Sequence, residues 1–204
     1  TSPKVINENS RSGGRIRRFF VHSGARKAAQ FVKFCDSFNI PVLTLTNVTG
    51  FDASKCAERN LARETAKLIY AFADATVPKV NVIIGKAYGS AYVAMNSKSI
   101  GADIVYAWPS AKIGMMDKTA AAKIMYAEEI QASDNAAALI AEKASEYEKL
   151  QSSAEAAARR GYVDDIIKAE ETRQRVIAAF EMLFTKERTS IQEAWHSLRR
   201  VTNL

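Results

Sequence analysis

The stretch that decides the fold runs from residue 77 to residue 116 and reads VPKVNVIIGKAYGSAYVAMNSKSIGADIVYAWPSAKIGMM. Its first segment, VPKVNVIIGK, is rich in β-branched residues and predicts a strand. AYGS then predicts a tight turn at Gly89, and AYVAMNSKSIGA predicts a helix that ends at Gly101. DIVYAWP and AKIGMM predict two further short strands. Strands that alternate with helices at these intervals indicate an α/β fold.

The segments on either side continue this alternation. Residues 25–38 place apolar side chains at helical spacing, residues 41–48 alternate as a buried strand does, and a second helix is predicted from about residue 58 to 73. Beyond Lys118 the apolar pattern is helical, interrupted by YVDDII at 162–167, which predicts a short strand or turn. The sequence thus predicts an α/β core followed by additional C-terminal helices.

The composition is that of a folded domain. The chain has 204 residues, 48% apolar and 25% charged, which is enough for one substantial core. Its two cysteines, Cys35 and Cys56, form no disulfide framework and have no metal-ligand spacing. The longest uncharged run, residues 37–51, is too short to span a bilayer, and residues 1–10 lack the apolar region of a signal peptide. We therefore expect a cytoplasmic protein without membrane insertion.

The net charge of +7 is concentrated at the front of the chain. Residues 1–40 contribute +6, from eight basic and two acidic residues, and residues 41–204 contribute +1. The basic residues of the first part are Lys4, Arg11, Arg15, Arg17, Arg18, Arg26, Lys27 and Lys33. We expect residues 1–22 to form a basic arm or linker and residues 23–204 to form the domain. The arm is interpreted as a solvated segment or a partner surface, and nucleic-acid binding is disfavoured because no recognisable binding module follows it.

Titratable catalytic groups are scarce. The two histidines, His22 and His196, lie in polar, arginine-containing surroundings that are typical of surface residues. A metal centre or a histidine-activated nucleophile would require one of them to fold back onto the core. Acidic residues occur in adjacent pairs such as Asp164 and Asp165, which are typical of solvated helix ends rather than of acid-base dyads.

The turn at Gly89 is the richest feature for chemistry. A strand stops at the glycine and a helix begins, so the peptide N–H groups of Ser90 and Ala91 are predicted at the helix N-terminus. Unpaired N–H donors there, reinforced by the helix dipole, favour developing negative charge without any titratable side chain. The alternative is that Gly89, Ser90 and Ala91 only permit close packing of helix on strand, and the residues alone leave both interpretations open.

A family resemblance is carried by the residues around this turn. The segments FCD-F-IP, G-F, A-A-VPK, KAYG-AY, MNSK and AWP-A-I occur between residues 33 and 116. In order and spacing they resemble the C-terminal half of the carboxyltransferase (beta) subunit of biotin-dependent acyl-CoA carboxylases of the propionyl-CoA and acetyl-CoA type. The resemblance covers about residues 25 to 185. It implies a crotonase-like fold, a spiral of ββα units that is related to the Clp-protease fold.

The resemblance also implies a function. In this family a carboxyl group passes from carboxybiotin to the α-carbon of a short-chain acyl-CoA, and the biotin itself acts as the base, which accounts for the scarcity of acid-base side chains. A backbone oxyanion hole for the biotin ureido oxygen maps onto Ser90 and Ala91. The surroundings of the biotin map onto Gly50, Phe51, Gly89 and Tyr92. Val93 maps onto a position that influences acyl chain length, although packing within its helix explains a valine equally well.

Three departures from the family pattern affect these expectations. Many members have glycine where this chain has Ser90, a change that a backbone donor survives. The turn that is commonly Val-Pro-Gly-Phe contains Thr49 in place of proline, which predicts a less rigid loop. The N-terminal half, which carries most acyl-CoA contacts, is missing, so we expect a split subunit or a domain of a chain about twice as long, and the absent initiator methionine favours the second.

The resemblance implies several partners and leaves alternatives. The partners are an N-terminal carboxyltransferase half, a biotin carboxyl carrier protein, a biotin carboxylase and further copies of the chain. The same domain occurs in biotin-dependent decarboxylases of methylmalonyl-CoA or glutaconyl-CoA, and nothing in the sequence sets the direction. A serine peptidase of the Clp type would use Ser90 as nucleophile, but both histidines are poorly placed for it. A non-catalytic assembly or nucleic-acid-binding module is the remaining class.

Overall fold

The computed structural model describes residues 11–12, 15–16, 19–133 and 135–186. The elements in chain order are β1 (Arg11–Ser12), β2 (Arg15–Ile16), β3 (Phe19–Phe20), α1 (His22–Ser37), β4 (Val42–Val48), β5 (Gly50–Phe51), α2 (Lys55–Asp74), β6 (Lys79–Tyr88), α3 (Gly89–Val93), a 3₁₀ helix (Lys98–Ile100), β7 (Ile104–Ala107), β8 (Lys112–Gly114), α4 (Lys118–Met125), α5 (Ala127–Ala132), α6 (Ala136–Tyr147), a π-helical turn (Glu148–Ser152), α7 (Ala154–Arg159), β9 (Asp165–Ile166), a second 3₁₀ helix (Ala169–Glu171) and α8 (Thr172–Met182).

The main sheet of the described residues is parallel, with β6 at its centre. Its strand order is β4-β6-β7-β9, and β8 pairs with the last residues of β6. Thr44 on β4 pairs with Asn81 on β6, and Tyr88 at the end of β6 pairs with Gly114 at the end of β8. Parallel sheets are stable when both faces are covered, and β6 accordingly has buried residues on both faces.

Helices cover the two faces of this sheet. One part of the core packs α1 and α2 against the sheet, with Val32, Leu68 and Phe72 among its buried side chains. Another part packs α8 against β6, where Val176 joins Val80 and Val82. The i, i+2 spacing of the two β6 valines places them on one side of the strand. Alternate residues of β6 therefore pack against the α1 and α2 layer on one face and against α8 on the other.

Two carboxylates fix the connections between elements. Asp36, near the end of α1, accepts hydrogen bonds through Oδ1 from the N–H groups of Thr76 (2.7 Å) and Val77 (3.2 Å) and from the Thr76 hydroxyl (3.1 Å). Asp164, just before β9, accepts from Lys98 Nζ with both oxygens at 2.8 Å and from the N–H of Val105 at 2.8 Å. The first carboxylate ties α1 to the entrance of β6, and the second ties the segment before β9 to β7.

The helix predicted to run to Gly101 is shorter in the structure. Helix α3 ends at Val93, and only a 3₁₀ turn follows at Lys98–Ile100. Asn96 has φ +55°, in the left-handed region that interrupts a right-handed helix. The preceding strand is longer than predicted, because β6 continues through Tyr88. The other central prediction is confirmed: residues 41–48 contain β4, and α1 and α2 occupy the predicted helical segments.

The end of the predicted basic arm packs on the domain. Strand β3 pairs in parallel with β5, and Phe20 is 9% exposed, with its ring 5.7 Å from that of Phe51 in an edge-to-face arrangement. His22 begins α1 and is partly buried. Of the predicted surface groups, Arg17, Arg18 and His196 lie outside the described residues. In the part of the chain that the structure describes, no helix has the length and apolar character needed to cross a bilayer.

Candidate functional site

The turn from β6 into α3 requires glycine at one position. Gly89 has φ +60°, a conformation that L side chains rarely adopt. A Cβ at this position would also lie 3.1 Å from the carbonyl oxygen of Met115, which follows β8. The two main chains therefore approach closely at the carboxyl ends of β6 and β8. This edge of a parallel sheet is where ligands bind in α/β proteins.

The start of α3 presents the predicted pair of backbone donors. Because the helix begins at Gly89, the N–H groups of Ser90 and Ala91 have no acceptor within it. Ser90 is exposed, whereas Ala91 is only 1% exposed. The helix has five residues, so the N–H groups themselves, more than a long helix dipole, make this edge suited to an oxygen that carries negative charge.

A cavity of about 390 Å³ opens beside these donors. Its lining contains Gly89, Ser90, Tyr92, Val93, Ser99, Ile113, Gly114, Met115, Tyr147, Gln151, Ala157, Arg160 and Tyr162. Four of the residues predicted from sequence, Gly89, Ser90, Tyr92 and Val93, are thus brought together on one wall. Ala91, Gly50 and Phe51 do not line the cavity. Strand β5, which holds Gly50 and Phe51, instead packs against α3.

Tyr92 lines the cavity, but its hydroxyl is closed off from solvent. The residue is 8% exposed, and its hydroxyl is buried without a hydrogen-bond partner in the described part of the chain. Burial, with a smaller contribution from Tyr162, raises the pKa of Tyr92 to about 12. The hydroxyl therefore stays protonated at neutral pH. A buried donor without an acceptor is costly, so a ligand that supplies one would be stabilised.

The opposite wall comes from segments distant in sequence that gave no earlier indication of a site. Ile113 and Gly114 belong to β8, Gln151 to the π-helical turn, and Arg160 and Tyr162 to the connection between α7 and β9. A Cβ at Gly114 would lie 3.1 Å from Ser152 Oγ, so glycine permits close approach of the π-helical turn. The signal that could have drawn attention to this wall is RRGYVDD, in which Gly161 has φ +78°.

A charged cluster lies near the end of β6. Glu148 pairs with Lys112 (3.0 Å) and with Lys118, and hydrogen bonding from these lysines, foremost Lys118, lowers the pKa of Glu148. Tyr88 lies close enough to this group that Asp117 and Glu148 add to the effect of its burial, and its pKa rises to about 12.

Other reactive groups of the described residues do not gather into a centre. No three histidine, cysteine, aspartate or glutamate side chains of this part of the chain are grouped so as to hold a metal ion. Cys35 is a buried residue of α1, and burial raises the pKa of its thiol. No histidine lines the cavity among the described residues. The chemistry available at this cavity is therefore that of backbone N–H groups, hydroxyls and one guanidinium.

Comparison with known proteins places this arrangement in a family. The family model for the carboxyl transferase domain matches residues 11–198. The chain belongs to the carboxyl transferase domain family. A relative is the putative propionyl-CoA carboxylase beta chain of Bacillus subtilis (strain 168), which is 53% identical over 163 residues that make up 79% of this chain and 32% of the relative.

Two further relatives of the carboxyl transferase domain differ in their named reactions. The methylmalonyl-CoA carboxyltransferase 12S subunit of Propionibacterium freudenreichii subsp. shermanii is 46% identical over 80% of this chain and 31% of the relative. The methylmalonyl-CoA decarboxylase subunit alpha of Propionigenium modestum is also 46% identical, over 77% of this chain and 31% of the relative. The chain thus spans about a third of the length of these relatives.

Solved structures confirm the predicted fold of this carboxyl transferase domain. The crystal structure of transcarboxylase 12S, a hexamer assembly with methylmalonyl-coenzyme A and methylmalonic acid bound, matches with a TM-score of 0.81 at 44% identity, over 84% of this chain and 33% of that one. The beta subunit of Pseudomonas aeruginosa geranyl-CoA carboxylase matches with a TM-score of 0.69 at 25% identity, over 83% and 34%. The architecture is the crotonase-like α/β fold.

Proposed function

We propose that this chain is the part of a biotin-dependent acyl-CoA carboxyltransferase that receives carboxybiotin, and that the reaction moves a carboxyl group between carboxybiotin and the α-carbon of acetyl-CoA or propionyl-CoA. The observation that carries the proposal is the pair of N–H groups at Ser90 and Ala91 that have no acceptor within α3, the first of them at a residue that lines the 390 Å³ cavity. Membership of the carboxyl transferase domain family and the relatives named for such reactions support it.

The residues present fit biotin. The cavity lies within the range of about 300–1,000 Å³ that is typical of small-molecule sites and is lined mainly by apolar and aromatic groups with a few polar ones. The N–H groups of Ser90 and Ala91 would hold the ureido oxygen, Gly89 and Tyr92 would flank the ring system, and Val93 would face the acyl group. When bound, carboxybiotin supplies both the carboxyl group and the base.

The chain's own contribution is electrostatic. N–H donors that are fixed by the main chain stabilise negative charge on an oxygen without reorganising, which is the largest single effect in many enzymes. The left-handed glycine at position 89 lets the ligand approach the backbone, because residue 89 itself has no side chain. Gly50 and Phe51 lie on β5, which packs against α3, and would complete the surroundings of the biotin from there.

The partners and the cellular setting belong to the same proposal. The chain spans about a third of its relatives, so an N-terminal carboxyltransferase half would supply most of the acyl-CoA site. A biotin carboxyl carrier protein and a biotin carboxylase would deliver and charge the biotin in the cytoplasm. The hexamer assembly of transcarboxylase 12S supports a complex that contains several copies of the chain.

A pair of substitutions at one position tests the oxyanion site. Ser90→Pro removes the N–H, and proline is tolerated in the first turn of a helix, whereas Ser90→Ala keeps the N–H and removes only the hydroxyl. With an N-terminal half added, we expect Ser90→Pro to reduce carboxyl exchange between biotin and acyl-CoA by about 10²–10³-fold and Ser90→Ala to retain most of it. Equal activity of the two variants would refute the assignment. Labelling of the wild-type chain, but not of Ser90→Ala, by a serine-directed fluorophosphonate would favour the peptidase.

A decarboxylase is the second candidate, because the relative from Propionigenium modestum is a decarboxylase subunit with 46% identity. The same donors would then serve the reverse transfer, from a carboxylated acyl-CoA to biotin. Incubation of the reconstituted chain with methylmalonyl-CoA and biotin, and separately with propionyl-CoA and carboxybiotin, distinguishes the candidates through the ratio of the two rates.

A further inference from the structure

Arg160 holds a positive charge at the cavity that no acidic group balances. Among the described residues that line the cavity, it is the only one with a formal charge. Its Nη1 donates to the backbone carbonyl oxygen of Gln151 at 3.1 Å, and its Nη2 donates to Gln151 Oε1. Both acceptors are neutral, and no carboxylate of the described residues forms an ion pair with Arg160. Three of its five N–H donors remain available.

The Tyr92 hydroxyl is a second donor in need of an acceptor. It is buried and lacks a partner in the described part of the chain, and Tyr92 lines the same cavity. Tyr162 is near enough to contribute to the raised pKa of Tyr92, and Tyr162 lies two residues beyond Arg160. Tyr92 on α3 and Arg160 after α7 line the same cavity, and the Tyr92 hydroxyl is closed off from solvent.

The acidic groups nearby are already neutralised. Glu148, one residue beyond the lining residue Tyr147, pairs with two lysines, Lys112 and Lys118. Asp164, two residues beyond Tyr162, accepts from Lys98 with both oxygens. These ion pairs leave the guanidinium as the uncompensated charge on the cavity wall. Arg160 is itself exposed, so its guanidinium is reached from solvent as well as from the cavity.

We propose that Arg160 and the Tyr92 hydroxyl form a carboxylate-recognition subsite, which selects the carboxylated form of the ligand over the uncarboxylated form. This inference rests on the proposed function, since the carboxylate is the group that the reaction transfers. A carboxylate accepts from two guanidinium N–H groups at once, and such charge-assisted hydrogen bonds are about twice as strong as neutral ones. The oxyanion donors at Ser90 and Ala91 would hold the ureido oxygen, and Arg160 would distinguish loaded from unloaded biotin.

A matched pair of arginine variants tests the subsite. Methylmalonate carries the carboxylate that methylmalonyl-CoA donates, and its diamide has the same shape without charge. Calorimetry measures the binding of each compound to the 204-residue chain as wild type and as Arg160→Gln, Tyr92→Phe and Arg159→Gln. Arg159→Gln is the control, because it removes one positive charge from an exposed residue outside the cavity lining. We expect methylmalonate to bind Arg160→Gln at least about tenfold more weakly than wild type, and to bind Tyr92→Phe about three- to tenfold more weakly.

The control and the neutral probe decide the interpretation. Arg159→Gln should change methylmalonate binding by less than about twofold, and the diamide should bind wild type and Arg160→Gln alike. An equal loss in both arginine variants, or no measurable binding of methylmalonate to wild type, would overturn the proposal. Arg160→Lys keeps the charge and loses the planar fork, so it should bind more weakly than wild type even where Arg160→Gln unfolds.

Failure of the subsite and failure of the proposed function have different signatures. Biotin methyl ester is neutral and is titrated into isotope-labelled protein while the amide signals of Ser90 and Ala91 are followed by NMR. If the amide shifts also occur in Arg160→Gln, they support the oxyanion site, whether or not methylmalonate binding depends on Arg160. Absence of those shifts in wild type would reject the biotin site itself, whereas their presence together with Arg160-independent methylmalonate binding rejects only the subsite.

Discussion

Substitution of Gly89 by alanine tests whether the turn that opens α3 sets the site. Gly89 and Gly161 both have left-handed φ angles, +60° and +78°, so alanine at either position costs about 1 kcal/mol of unfolding free energy for the backbone conformation. A Cβ at Gly161 meets nothing within 4 Å, whereas a Cβ at Gly89 lies 3.1 Å from the Met115 carbonyl oxygen. Gly161→Ala is therefore a control that carries the conformational cost alone.

The close contact adds to the cost at Gly89. Overpacking of a well-ordered site costs about 1–3 kcal/mol, and the low end applies because a shift of a few tenths of an ångström relieves a 3.1 Å contact. We expect a loss of about 2 kcal/mol for Gly89→Ala and about 1 kcal/mol for Gly161→Ala. Chemical denaturation measures both losses, provided that the dependence of the unfolding free energy on denaturant concentration is the same for wild type and both variants.

Ligand binding provides the second measurement. The contact at Gly89 pushes the start of α3 away from β8, so Gly89→Ala should also weaken binding of biotin methyl ester, while Gly161→Ala should leave it within about twofold of wild type. Equal destabilisation by the two substitutions would show that the Met115 carbonyl shifts without cost to make room for the added Cβ at position 89. Unchanged binding by Gly89→Ala would refute the inference that this turn positions the donors.

Three further predictions concern the surrounding structure. Asp36→Ala removes an acceptor shared by three donors and should lower the unfolding free energy by about 2 kcal/mol in denaturation; a loss below about 0.5 kcal/mol would contradict its role. Hydrogen bonds from Lys118 and Lys112 lower the pKa of Glu148 below its usual 4.5, so the ionised carboxylate stabilises the folded state above pH 4.5, and this stabilisation is lost as the pH falls through the lowered pKa. Glu148→Gln should therefore make the decline of Tm in acid less steep. An unchanged decline would refute this. Burial raises the pKa of Tyr88 and Tyr92 from 10 to about 12, so stability should fall between these pH values, and Tyr92→Phe should remove one late-titrating tyrosine from an absorbance titration; ionisation of all tyrosines near pH 10 would count against it.

Much of the central fold was predictable from sequence because local periodicity and burial agree there. The alternation at residues 41–48 matches β4, whose every second residue is buried. The helix after Gly89 was predicted too long: α3 ends at Val93, and the sequence pattern through Gly101 does not reveal the left-handed backbone at Asn96. The burial of Phe20 was missed, since its pairing partner in β5 lies some thirty residues away and the arginines around it suggest solvent.

The candidate site was predictable only on one side. A strand, a glycine and a short helix are contiguous, so the donors at Ser90 and Ala91 could be inferred from local sequence. The wall that contains Tyr147, Gln151 and Arg160 depends on how the C-terminal helices return to β8. No local pattern encodes that return, and a surface arginine looks the same in sequence whether it faces solvent or a cavity.

The separation of the two cavity walls along the chain has a consequence for folding. Strands β4, β6, β7 and β8 and helix α3 all precede the segment with Arg160 and Tyr162 in the chain. Closing so long a loop carries an entropic cost that local contacts do not recover. A ligand that touches both walls binds only the closed arrangement, and it stabilises that arrangement by mass action. Hydrogen exchange in α7 should therefore slow on ligand binding more than exchange in β4, so that the ligand acts as a clamp on the last part of the domain to fold.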